Sequence, residues 1–132
     1  SVSGAQGGCQ AEIGVASAMA AAALTHIMVG TGEQCAHAFA IALGNLLGLV
    51  CDPVAGLVEI PCVKRNVIGA VNAVSAANMA LAGITAHIPA DEVIDAMGEI
   101  GDALPSSLRE TGQGGLAATP TGRRIAESLP QG

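Results

Sequence analysis

The sequence predicts an all-α fold, a bundle of Ala/Gly-rich helices with a cysteine- and proline-rich loop between the second and third. Three observations carry this expectation. No stretch sustains the two-residue alternation of a half-buried strand. Long runs of alanine and aliphatic residues have helical length and stop at glycines. A capping pattern opens one of them.

Residues 9–29 form the first helix, apolar on nearly every side, as expected for a helix surrounded by protein. Gly30 ends it. Thr31-Gly32-Glu33-Gln34 places a hydroxyl three residues before a glutamine, a capping box for a second helix running to about Leu47, with Gly48 as its C-terminal stop. In the loop 48–62, Pro53 and Pro61 each remove a backbone donor and hold their neighbours extended. A third helix covers 63–82, where Gly69, Ala70, Ala73, Ala76, Ala77 and Ala80 give a smooth surface for close packing, and Gly83 ends it. Pro89 begins an amphipathic helix over 90–103, with Val93, Ile94, Met97 and Ile100 on its apolar face and a solvated acidic face opposite. Pro105 opens a short helical turn, and 112–122 reads as a loop.

The 132 residues suit a single domain, 1–132. With Phe39 the only aromatic, burial rests on small aliphatic side chains, which hide little area each; much of the stability is expected from contacts with other chain. The opening serine inside a glycine-rich run reads as part of a longer polypeptide. A net charge of −6 and only five Lys and Arg argue against nucleic acid as a partner. The uncharged stretch 13–32 has the length of a membrane span, but its Ala/Gly content, internal histidine and lack of flanking cations or interfacial aromatics make it a buried helix. There is no basic, leucine-rich leader. The four cysteines are expected to be reduced thiols in a cytoplasm.

Three of them, Cys9, Cys51 and Cys62, sit at helix boundaries beside Gly or Pro, where backbone N–H groups favour thiolates. Cys35 lies among alanines inside the second helix and reads as a core residue. The separations match neither CxxC zinc sites nor bacterial ferredoxin runs. Spacing therefore leaves two readings open: a three-thiolate metal site, or three structurally ordinary cysteines.

The motifs GGCQAEIG, GLVCDPVAGLVEIPCVKRN and RETGQGGLAATPTGRR resemble the catalytic α chain of the bacterial iron–sulfur L-serine dehydratases over essentially the whole sequence. The resemblance implies a [4Fe-4S] cluster on Cys9, Cys51 and Cys62, no role for Cys35 as a ligand, and a C-terminal part of an α chain whose N-terminal part is absent. Some relatives end in a cysteine tail that reaches the cluster; this sequence ends SLPQG, which implies the two-chain form with a separate β chain and an oligomeric assembly. Three thiolates would leave one iron open as a Lewis acid for the serine hydroxyl while a base removes the Cα proton, giving aminoacrylate and then pyruvate and ammonia, a step in amino-acid degradation and gluconeogenesis. No pyridoxal phosphate is needed, and Lys64 is the only lysine.

Further residues have two readings each. Glu12, three residues after Cys9, is a candidate acid or base or merely complements a helix N-terminus. Ser1 and Ser3 are candidates for binding the substrate carboxylate or for shaping a turn. Arg65 and Asn66 lie three and four residues after Cys62 and are candidates for binding substrate; Arg65 would grip a carboxylate, or pair with Glu59 or Asp52. His26, His37 and His87 lie outside the family motifs, and the base is expected upstream. The competing functions are a related cysteine desulfidase and a non-catalytic helical module with a structural metal site.

Overall fold

The computed structural model describes residues 1–130, so the last two residues of the SLPQG ending lie outside it. The fold is all-α. Among the described residues there are six α-helices and no strand, only an isolated bridge between Cys51 and Arg109. The helices are α1 (Gly4–Gly7), α2 (Val15–Ile27), α3 (Gly32–Asn45), α4 (Cys62–Leu81), α5 (Ala90–Ala103) and α6 (Pro120–Ser128). None is long and apolar enough to cross a membrane.

The bundle centre is α2, α3 and α4, each packed against the other two. Their shared core is mostly alanine: Ala18 and Ala21 from α2, Ala38 and Ala42 from α3, Ala73, Ala76 and Ala80 from α4, with Leu43 fully buried among them. Small side chains let the backbones approach closely. A Cβ on Gly69 would stand 2.9 Å from the Ile13 side chain, so this glycine sets the distance between α4 and the turn that leads into α2. Polar pins fix the register in this otherwise featureless core. Asn72 Nδ2 donates to Ser17 Oγ and to the Ala42 carbonyl, both at 2.9 Å, and Ser17 Oγ donates to the Gly69 carbonyl at 2.6 Å.

The capping box at Thr31 forms as expected: its Oγ1 accepts from Gln34 N at 3.1 Å, and Gln34 Oε1 accepts from Thr31 N at 2.9 Å. The helix ends at Asn45, earlier than predicted, and Gly48 takes a left-handed φ of 85°. The third predicted helix is α4, with Ala70 outside its buried face. α5 has the predicted bounds but buries Val93, Met97 and Gly101, leaving Ile94 exposed.

The first predicted helix, 9–29, is present as one helical run from Cys9 to Ile27; its opening turn, Gln10–Gly14, is π-helical and leads directly into α2, and the short α1 before it was not predicted. One expectation is corrected: the segment 112–122 is not wholly a loop. It contains a short 3-10 turn, Gly115–Ala118, and the start of α6, whose N-cap Thr119 accepts from Gly122 N at 3.0 Å ahead of Pro120. A Thr-Pro pair is a start signal for a helix, and here it outweighs the glycines before it.

Candidate functional site

Four segments meet at one end of the bundle: the π turn, the loop between α3 and α4, the first turn of α4, and the glycine-rich stretch after α5. They enclose a cavity of about 40 Å³ lined by Cys9, Glu12, Ile13, Cys51, Pro53, Val58, Cys62, Asn66 and Glu110. Its exposed lining residues are Glu12, Val58 and Asn66.

The π turn positions Cys9 and Glu12. Widening the helix by one residue per turn is a local distortion commonly found at functional sites, and here Gln10 anchors it. Gln10 is fully buried; its Nε2 donates to the carbonyls of Met97 (2.9 Å) and Gly7 (3.0 Å), and its Oε1 accepts from Gly48 N at 2.9 Å. One side chain thus ties the Cys9 turn to α5 and to the start of the cysteine loop.

The loop itself is closed by Val54 N donating to the Ile60 carbonyl at 2.8 Å, with a 3-10 turn at Val54–Gly56 and a buried Pro53. Cys62 is the first residue of α4. Cys51 is pinned from the other side: its N–H donates to the Leu108 carbonyl and its carbonyl accepts from Glu110 N, both at 2.9 Å.

Between Cys51 and Cys62 stands a buried ion pair that ties three of the segments together. Asp52, 3% exposed, pairs with Arg65 of α4, whose Nη1 also donates to the Val50 carbonyl at 3.0 Å. The other carboxylate oxygen accepts from Leu116 N at 2.7 Å. The glycine-rich stretch can lie over the loop only because it lacks side chains: a Cβ on Gly112 would stand 3.0 Å from Gly56 N, and one on Gly115 (φ 58°) would overlap the Asp52 carboxylate. Gly115→Ala is expected to destabilise the fold by about 2 kcal/mol or more, since it adds a left-handed penalty to a clash with a buried charge; a denaturation midpoint measures this.

All four cysteines are free, and Cys9, Cys51 and Cys62 are buried. Burial pushes all three thiols up; Cys51, further raised by Cys9 and then by the Glu110 charge, reaches about 12. Arg65 acts in the opposite direction on Cys9 and Cys62. Without a bound cation the protonated thiols are favoured. Folded-state values above the ordinary 9.0 mean that this contribution to stability is complete below about pH 9 and is lost as pH rises towards 12. The metal-free, reduced protein should therefore unfold progressively more easily above about pH 9, and Cys51→Ser should reduce that slope.

The donors are thiol sulfurs, the kind that bind zinc or iron–sulfur clusters: Cys9, Cys51 and Cys62 line one cavity. Among the described residues, no three His, Cys, Asp or Glu side chains gather closely enough to hold one metal ion. The enclosed space is smaller than a cubane and open on one side, so the donors rather than the volume carry the fit.

The other candidates divide. Glu12 and Asn66 line the cavity, and Asn66 Nδ2 donates to the Cys62 carbonyl at 2.9 Å. Arg65 is engaged by Asp52, the second of its two predicted readings. Ser3 caps α1, accepting from Ala5 N at 3.2 Å. Ser1 lines a separate cleft of about 560 Å³ against α5. Cys35 is half-buried in α3, away from the cavity, and none of the three histidines lines it. Sequence reasoning missed Gln10 and Glu110. Gln10 carries no motif beyond its place beside Cys9, whereas Glu110 sits in the quoted RETGQGG run, whose charged residues were the available signal.

The family described as "Serine dehydratase alpha chain" matches residues 1–117. A probable L-serine dehydratase, alpha chain, of Bacillus subtilis (strain 168) is 68% identical over 129 residues, 98% of this chain and 43% of the relative. The L-serine dehydratase, alpha chain, of Peptoniphilus asaccharolyticus is 57% identical over 122 residues, 92% of this chain and 42% of the relative. For the L-serine dehydratase TdcG of Escherichia coli (strain K12) the identity is 52% over 118 residues, 89% of this chain and 26% of the relative. The chain spans about half the length, or less, of these relatives.

Proposed function

Because this chain belongs to the serine dehydratase alpha chain family, we propose that it is the cluster-carrying, C-terminal part of the α chain of a cytoplasmic L-serine ammonia-lyase that releases pyruvate and ammonia. The observation that carries this reading is the convergence of Cys9, Cys51 and Cys62, from three separate segments, on one cavity. These three thiols would hold a [4Fe-4S] cluster. When bound, it supplies a Lewis acid, an iron without a protein thiolate, that makes the serine hydroxyl a workable leaving group.

The chain's own residues supply position and exclusion. The Gln10 anchor and the Asp52–Arg65 pair fix the cysteine-bearing segments relative to one another, so that little ordering is left for the moment of binding. Asn66 presents its amide at the cavity wall. Ile13, Pro53 and Val58 give the remaining wall an apolar character that limits water.

The partners proposed are L-serine, the N-terminal part of the α chain, and a β chain in an oligomer. The surface supports a protein partner. Val63, Val67, Val71 and Val74 repeat at helical spacing along α4 and are 50–62% exposed, and Leu57, Val58 and Ile60 of the preceding loop are exposed as well. Such a stripe matches an apolar partner segment.

Anaerobic assay of the complete enzyme tests the reading. L-serine should be turned over with a higher kcat/KM than L-cysteine, and activity should disappear in air. Preference for cysteine would instead favour a desulfidase, and turnover unaffected by removal of iron would reject both.

A further inference from the structure

We infer that Glu110 is a substrate-contacting residue whose carboxylate binds the ammonium group of the amino-acid substrate. The inference rests on the proposed deaminating reading and adds to it the recognition of the substrate's cationic end.

The first observation is conformational. Glu110 has φ 67°, in the left-handed region that disfavours side chains. Among the described residues glycine takes six other such positions, including Gly112 and Gly115 just downstream. Three further non-glycine residues share the conformation, Val29, Ala55 and His87, and none lines the cysteine cavity. At position 110 a glycine would suit the backbone better, and the strain points to a use for the side chain.

The second is placement. Two hydrogen bonds of 2.9 Å, Glu110 N to the Cys51 carbonyl and Cys51 N to the Leu108 carbonyl, hold the Glu110 backbone against Cys51. The residue is half-buried and lines the cavity. Among the described residues, no hydrogen bond or ion pair engages its carboxylate.

The third is charge balance. Arg65, the cation nearest the cysteines, is committed to Asp52 and the Val50 carbonyl. The charged side chains that line the cavity are therefore Glu12 and Glu110, both acidic. Serine's hydroxyl and carboxylate suit a Lewis-acidic metal. Its ammonium needs an anion, and Glu110 is the better shielded of the two, Glu12 being exposed.

The test uses the complete enzyme, reconstituted anaerobically, as wild type, Glu110→Gln and Glu110→Gly. The glycine variant removes the carboxylate and relieves the backbone, so loss of folding does not confuse the result. Iron content, kcat and KM for L-serine, and the inhibition constant of glycerate, which replaces the ammonium with a hydroxyl, are measured together. Both variants should keep wild-type iron content, raise KM for serine about 10- to 100-fold, as for loss of a charged hydrogen bond, and leave glycerate inhibition unchanged or tighter. An unchanged KM, a fall in kcat alone, a parallel loss of glycerate binding, or loss of iron in both variants would each overturn the inference. A wild-type enzyme without iron or serine turnover would instead remove the dehydratase reading, and this inference with it.

Discussion

Replacing Cys51 with alanine is expected to remove bound iron and sulfide and to lower serine turnover at least about 100-fold, because losing a metal ligand should cost no less than the 10- to 100-fold typical of outer partners. Cys9→Ala and Cys62→Ala should behave alike. The three thiols come from the π turn, the α3–α4 loop and the first residue of α4, and share one cavity. None is replaceable by a neighbour, since the fourth cysteine, Cys35, sits in α3 away from the cavity. Cys35→Ala is accordingly the control, expected to retain iron and activity. Iron and sulfide analysis with a serine assay, all under anaerobic conditions, distinguishes the four variants; normal activity in Cys51→Ala would remove Cys51 from the ligand set.

Asp52→Ala should destabilise the protein by about 3–5 kcal/mol, the cost of stranding one partner of a buried ion pair. Its carboxylate is 3% exposed and holds the Arg65 guanidinium and the Leu116 N–H, joining three segments. Removing Arg65 as well, in Asp52→Leu/Arg65→Leu, should recover part of the loss, because no uncompensated charge remains. Chemical denaturation under reducing conditions measures both. A loss under about 1 kcal/mol for Asp52→Ala would mean that water reaches the pair and that it is no lock.

Much of the fold was legible in residue pattern alone. The capping box at Thr31, the Ala/Gly face of α4 and the Pro89 start of α5 are local signals, and local hydrogen bonding or close packing decides each of them. The π form of the turn after Cys9 was not legible. A π turn depends on Gln10 reaching carbonyls and an amide from distant parts of the chain, and nothing in the local sequence announces those partners. The start of α6 was obscured because the glycines before it, needed for packing over Gly56 and Asp52, look like those of a free loop.

The site was legible in a similar proportion. Flanking Gly and Pro singled out three of four cysteines from residue chemistry, but only the tertiary arrangement brings them to one cavity. Arg65 shows the limit of reading neighbours along the chain: its place near Cys62 left a substrate carboxylate and a pair with Glu59 or Asp52 both open, and the fold gives it Asp52. Glu110 lies 48 residues beyond Cys62 in sequence, and only the pairing of Arg109 with Cys51 places it at the cavity.

The most direct measurement is the metal and sulfide content of the complete enzyme purified without exposure to air. Occupancy of Cys9, Cys51 and Cys62 by a cubane predicts about four iron and four acid-labile sulfide per α chain, falling together in each cysteine variant. Stoichiometric zinc without sulfide, or a fully active enzyme without iron, would contradict it.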